Sequence, residues 1–267
     1  MLGAQAGSGR RIVAAAVCQD AAMASPRPIV LVHGAVHGAW CWAALQTELD
    51  RRGVPSFAVD LPGHGASAED LTDTMGNAAA VSAVVDRLHD RFGVPVVLVG
   101  HSYGGTVIGQ AADAAKVAHL VFLTALVTEV GESPNTLMAT FPPPVFTGPV
   151  PSRIFLRGDD GTISGNPEAA VPVFYNDSPA EAAAAAIARL CPQRTDSLKQ
   201  AVTRAAWKDI PSTYVRCTKD MAISIAAQDM LVARLPDPSV ATLETDHSPF
   251  LGMPSQLADI LAPLSQG

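Results

Sequence analysis

The chain is poor in the residues that usually announce a stapled or metal-held fold. It has only four cysteines, Cys18, Cys41, Cys191 and Cys217, which are widely spaced and form no C-x-x-C pair. No His/Cys cluster accompanies them, so the pattern argues against a zinc site and gives no disulfide framework. Charge is also scarce, at 16% of residues, with a formal net charge of −7 and no basic run or stripe. Nucleic acid and anionic membrane surfaces are therefore not expected as partners. No apolar run reaches the roughly 18 residues that a membrane span needs. Low charge together with 48% hydrophobic residues excludes a disordered chain.

The chain does contain a rhythm. Short apolar runs at Ile29–Val32, Ser56–Val59, Val94–Val99 and Ala118–Leu123 read as strands. Helical spacing falls between them, over Trp40–Arg52, Asn77–Phe92 and Gly104–Ala115. The alternation returns late in the chain, with strands at Ser212–Cys217 and Val240–Leu243 and helices at Ser224–Leu235 and Ser255–Leu264. Uninterrupted runs such as Val96-Val97-Leu98-Val99 fit strands covered on both faces. The expected class is α/β, with a mostly parallel sheet and helices on either side.

Between these halves the rhythm breaks. Residues 128–208 mix proline-rich turns (Phe141-Pro142-Pro143-Pro144) with short helices such as the Ala182–Ala186 tract. A structureless loop of that length is improbable within a domain. A lid insertion is expected, because Phe141, Val145, Phe146, Phe174 and Tyr175 need something apolar to cover. The core is then 28–127 and 209–267. Residues 1–27 are expected to be a loosely held leader. Arg10-Arg11, the Ile12–Cys18 run and Ala22-Met23-Ala24 imitate a signal peptide, but the apolar stretch is short and cut by Gln19-Asp20. A cytoplasmic location is the preferred reading; a secreted or periplasmic one follows if the leader is a signal peptide.

Gly100-His101-Ser102-Tyr103-Gly104 is a G-x-S-x-G sequence placed between the most apolar strand and a helix, the context this motif requires. Side chains at Gly100 or Gly104 would crowd a nucleophile turn. Ser102 is therefore the candidate nucleophile. Its base is expected in a loop at the carboxyl end of a strand, and His247, following the last strand, fits best. His101 is committed to the turn, His33, His37 and His64 lie in early loops, and His89 and His119 read as structural or solvated. The acid should lie between serine and histidine in the chain, and Asp220 follows the Ser212–Cys217 strand. Asp246 is adjacent to His247 and is not expected to reach its ring. Backbone N–H groups of Tyr103 and of Ala35, with Gly34 allowing close approach, are the expected oxyanion donors.

These segments carry a family resemblance. Val32-His33-Gly34-Ala35-Val36-His37-Gly38-Ala39-Trp40-Cys41-Trp42 resembles the signature of the plant methylesterase and hydroxynitrile lyase branch of the α/β-hydrolases. Gly100–Gly105, Cys217–Asp220 and Asp246-His247 resemble the same branch's nucleophile, acid and histidine segments. The resemblance implies an α/β-hydrolase fold, no cofactor, and a Ser102–His247–Asp220 triad with the Ala35 and Tyr103 amides. The lyases carry threonine where this chain has Gly34 and lysine where it has Ser248, which favours ester hydrolysis over cyanohydrin cleavage. Pro249-Phe250 also departs from the plant pattern. The expected activity is a serine carboxylesterase acting on a small to medium, mostly apolar or aryl ester. The alternatives are a hydroxynitrile-lyase-like C–C lyase and a non-catalytic ligand receptor on the same fold. Whether the chain forms a homodimer is left open.

Overall fold

The computed structural model describes residues 26–142 and 153–266. Expectations for the leader and its Cys18, and for Val145 and Phe146 of the insert, fall outside the described residues. In chain order the first half runs β1 (Ile29–Val32), a 3₁₀ turn (Ala39–Trp42), α1 (Ala43–Arg51), β2 (Ser56–Val59), α2 (Thr74–Phe92), β3 (Val96–His101), α3 (Gly104–Ala111) and β4 (Val117–Leu123). The insert contains α4 (Pro134–Met138), β5 (Phe155–Arg157), β6 (Thr162–Gly165), α5 (Pro167–Phe174), α6 (Ala180–Ile187), β7 (Gln193–Arg194) and α7 (Asp196–Lys199). The chain closes with β8 (Ser212–Cys217), α8 (Ile225–Val232), β9 (Ser239–Leu243), α9 (Pro249–Gly252) and α10 (Pro254–Ser265).

Six parallel strands form one sheet in the order β2-β1-β3-β4-β8-β9. The period of two along each strand divides the core. Val30, Val32, Leu98, Phe122 and Tyr214 face α2, α3 and α8. Ile29, Leu31, Val99, Leu123 and Val215 face α1 and α10. Both faces are covered, which is why these strands read as unbroken apolar runs. The β1/β3/β4 register pairs Val32 with Gly100 and His101 with Leu123, so the chain leaves three neighbouring strands at one level. The loops after β1, β3, β4, β8 and β9 all open on that carboxyl edge, where a parallel sheet meets its ligands.

Two expectations are corrected. Helix α3 stops at Ala111, because Ala112 turns extended (ψ 139°) and the Asp113 side chain accepts from the Ala115 N–H in a turn. The insert also contains strands, where only turns and helices are expected: β5, β6 and β7 form a small antiparallel sheet. Runs of two to four residues are too short for alternation to register.

Candidate active site

Ser102 sits between β3 and α3 with φ 53°, a left-handed conformation that a non-glycine residue adopts only under local constraint. The constraint is visible: its N–H donates to the Leu123 carbonyl (3.3 Å), and its own carbonyl accepts from Gly105 and Leu126 (3.0 Å each). The turn also demands a bare backbone. A Cβ on Gly100 would lie 2.5 Å from the Gly104 carbonyl oxygen, and one on Gly104 would lie 2.7 Å from that of Val32. A Cβ on Gly34 would lie 2.8 Å from His101 Nδ1 and 2.9 Å from Ser102 Cβ.

His247 follows β9 and is almost wholly buried, at 2% exposure. Its Nδ1–H donates to Asp220 Oδ2 at 2.7 Å. A carboxylate on Nδ1 fixes the tautomer and leaves the lone pair on Nε2. Asp220, in the turn after β8, is held at every available position. Its Oδ1 accepts from the Ala222 and Ile223 N–H groups (2.7 and 2.8 Å), and its Oδ2 also accepts from the Thr124 hydroxyl (2.5 Å). Thr124, at the end of β4 with φ 36°, is a site residue the sequence reading missed. The segment from Ala118 to Thr128 contains no acid. The structure instead places a hydroxyl there, on the acid supplied by the next strand.

The remaining histidines have other partners. His101 donates from Nε2 to the His247 carbonyl (2.8 Å), and its ring lies 4.6 Å from that of His247. His33 donates from Nδ1 to Gly34 O (2.8 Å) and accepts the Leu61 N–H at Nε2 (3.1 Å). His37 donates from Nδ1 to Ala35 O (2.7 Å) and accepts the Tyr175 hydroxyl at Nε2 (2.8 Å). Burial pushes all three imidazoles below their ordinary pKa, His37 to about 4. His64 packs against His33, His89 bonds the Val94 carbonyl, and His119 bonds Thr213. Asp246 stays off the His247 ring, as expected. Its carboxylate accepts from Asp177 N–H, the Ser178 hydroxyl and Ser248 N–H, at 2.8, 2.8 and 2.9 Å.

Ser102 and His247 open on one cavity of about 110 Å³. Ala35, Tyr103 and His37 also line it, and the insert contributes Met138, Phe155, Phe174 and Leu198. The lining is overwhelmingly apolar, and its polar side chains include Ser102, His37, His101 and His247. Among the described residues no group of His, Cys, Asp and Glu is placed to hold a metal, and no helix is long and apolar enough to cross a membrane. Cys41, Cys191 and Cys217 are free thiols.

Relatives of this chain include proteins named as a methylesterase and a pyrethroid hydrolase. It is 30% identical to the pFDCC methylesterase of Arabidopsis thaliana over 85% of this chain and 90% of that one. It is equally identical to a pyrethroid hydrolase from Sphingobium wenxiniae, over 88% and 86% of the two chains. In three dimensions it resembles a pyrethroid hydrolase from Sphingobium faniae, with a TM-score of 0.74, 27% identity, and coverage of 90% of this chain and 98% of that one. The model of the alpha/beta hydrolase family matches residues 29–260, and the protein belongs to that family.

Proposed function

We propose that the protein is a serine carboxylesterase that works through an acyl-enzyme. The observation that carries this reading is His247, hydrogen-bonded to the buried Asp220, lining the same apolar cavity as a strained, turn-borne Ser102. His247 Nε2 takes the Ser102 proton as the hydroxyl attacks the ester carbonyl, while Asp220 holds the tautomer and stabilises the imidazolium. The Ala35 and Tyr103 N–H groups receive the oxyanion. The protonated His247 then gives its proton to the leaving alcohol, and water hydrolyses the acyl-enzyme by the same sequence of proton transfers. The relatives named methylesterase and pyrethroid hydrolase support ester chemistry.

Residues 128–208 act as the lid in this reading. The aromatic and aliphatic side chains they add to the cavity favour a small to medium, uncharged, apolar or aryl ester. The test is Ser102→Ala, assayed on p-nitrophenyl esters alongside labelling of the wild type with a fluorophosphonate. Hydrolysis should fall by about 10³-fold or more, and only the wild type should label. A purified Ser102→Ala protein with near-normal hydrolysis would remove the proposal.

A further inference from the structure

The loop that presents Ala35 bonds itself through two rings, His33 Nδ1 to the Gly34 carbonyl (2.8 Å) and His37 Nδ1 to the Ala35 carbonyl (2.7 Å), but neither reaches the N–H or carbonyl of Val36. Val36, the next residue, has φ 57°, a conformation that disfavours a β-branched side chain. The only backbone bond closing the loop on itself is a long one, His37 N–H to Gly34 O at 3.4 Å. The partners of Val36 itself come from residues far along the chain, in the insert. The Val36 N–H donates to Gln193 Oε1 at 3.0 Å, and the Val36 carbonyl accepts from the Cys191 N–H at 2.9 Å. Both polar groups of the strained residue are thus satisfied by the segment entering β7.

Gln193 is itself fully buried, and the orientation of its amide follows from the bonds around it. The Ser197 hydroxyl donates to the Arg194 carbonyl at 2.6 Å, so its oxygen can only accept from Gln193 Nε2, at 2.7 Å. That leaves Oε1 facing the Val36 N–H. The Cys191 contact is backbone to backbone and survives most substitutions. Gln193 is the one side chain on the strained N–H. Without it a buried donor loses its partner, and the loop recovers one by turning the Val36 peptide away from φ 57°. That movement displaces Ala35.

We propose that Gln193 is a positioning residue for the oxyanion hole: from the insert it holds the Val36 peptide, and through it the Ala35 N–H, in the conformation used in acyl transfer. The proposal rests on the serine-esterase reading. It also makes the insert part of the catalytic apparatus as well as a cover. Loss of a single oxyanion donor lowers kcat by about 10²–10³-fold, and a displaced donor should give a smaller effect.

The experiment compares Gln193→Met, Gln193→Glu, Ser197→Ala and Ser102→Ala on a p-nitrophenyl ester, with inhibition by an aryl trifluoromethyl ketone. Gln193→Met keeps the length and loses the acceptor. Its kcat should fall about 10–100-fold with KM within about two-fold, and the ketone, whose adduct carries the oxyanion, should weaken by a similar factor. Gln193→Glu restores the acceptor for the Val36 N–H but lacks the Nε2 donor, so the Ser197 hydroxyl must turn from the Arg194 carbonyl to the second carboxylate oxygen, and part of the loss should be recovered. Ser197→Ala frees the Gln193 amide without touching the loop and should lower kcat several-fold at constant KM; it carries the test if Gln193→Met does not fold. Unchanged kcat in Gln193→Met and Ser197→Ala, a rise in KM alone, or no recovery by Gln193→Glu overturns the proposal. The Ser102→Ala arm separates the two failures: retained hydrolysis there brings down the esterase reading and this proposal together. Lost hydrolysis there, with normal kcat in Gln193→Met, brings down the proposal alone.

Discussion

Acid should destabilise this protein through His37 well before its carboxylates titrate. The ring is 1% exposed and packed among Trp40, His101, Phe174, Tyr175 and Phe250. Desolvation is the main force lowering its pKa to about 4. His247 and His64 push the same way, and the bond to the Ala35 carbonyl opposes them. In the unfolded chain the imidazole returns to its ordinary value near 6.5. Between these two values the unfolded state binds the proton and the folded state does not, so falling pH favours unfolding. The stability tied to neutral His37 is present in full above about pH 6.5. It is lost progressively as the pH drops toward 4, by about 2 kcal/mol at pH 5 and about 3 kcal/mol at pH 4. Protonation also turns Nε2 from an acceptor into a donor, so the Tyr175 hydroxyl must redirect its proton and accept instead, which reverses this bond between the insert and the Ala35 loop.

The assay is urea unfolding at intervals from about pH 7.5 to pH 4.5, for the wild type and for His37→Gln, which has no group to titrate at that position. His33 and His101 are also buried with lowered pKa, so each adds a loss of the same sign. Both are present in the two proteins and largely cancel in the comparison. The wild type should lose about 2 kcal/mol more than the variant between pH 7 and pH 5. Parallel curves across that interval would show that His37 stays solvated or changes partner on folding, and would refute the reasoning.

Two other expectations rest on the proposed site. Asp220→Ala removes the acceptor that fixes the His247 tautomer and should lower kcat by about 10³–10⁴-fold with little change in KM, measured by steady-state kinetics on the ester used for Ser102→Ala. Gly34→Ala puts a methyl 2.8 Å from His101 Nδ1, and that ring is enclosed by His37, Trp42 and Phe250 and cannot retreat. A loss of about 1–3 kcal/mol in urea unfolding, with reduced fluorophosphonate labelling of Ser102, is expected.

The sheet was legible because buried parallel strands must be apolar throughout, and Ile29–Val32 and Val96–Val99 say so without help from any neighbour. The order of Ser102, Asp220 and His247 was legible because each follows a strand whose end faces the same edge. What surrounds them was not. Thr124 has no signal of its own; only the β4/β8 register, which sets Leu123 beside Val215, brings its hydroxyl to Asp220. Asp246 is excluded from the His247 ring by its adjacency, but nothing local shows that its carboxylate ties the histidine loop to Asp177 and Ser178 of the insert. Gln193 stands 157 residues from Val36, and no local pattern links a glutamine to a strained peptide at that separation. Polar residues that act over long sequence distances are legible only once packing has placed them, whereas periodicity is written into each segment.

The backbone strain has a distribution that follows from this division. Four non-glycine residues among those described have positive φ: Val36, Ser102, Thr124 and Asp237. The first three leave the carboxyl ends of β1, β3 and β4, the central strands of the sheet after β2. Each is restrained from another part of the chain: Val36 by Gln193 and Cys191, Ser102 by Leu123 and Leu126, and Thr124 by its N–H to the Val215 carbonyl (2.9 Å) and its hydroxyl to Asp220. A conformation that is unfavourable locally persists only where such partners over-determine it. Strands β4 and β8 and the loops that follow them supply these partners for Ser102 and Thr124. For Val36 the partners lie in the insert, so the loop carrying Ala35 depends on a segment that the strand–helix rhythm does not encode. Changes in the insert that reach Gln193 should therefore act on turnover, while changes confined to Met138 or Leu198, which line the cavity, should act on the choice of ester.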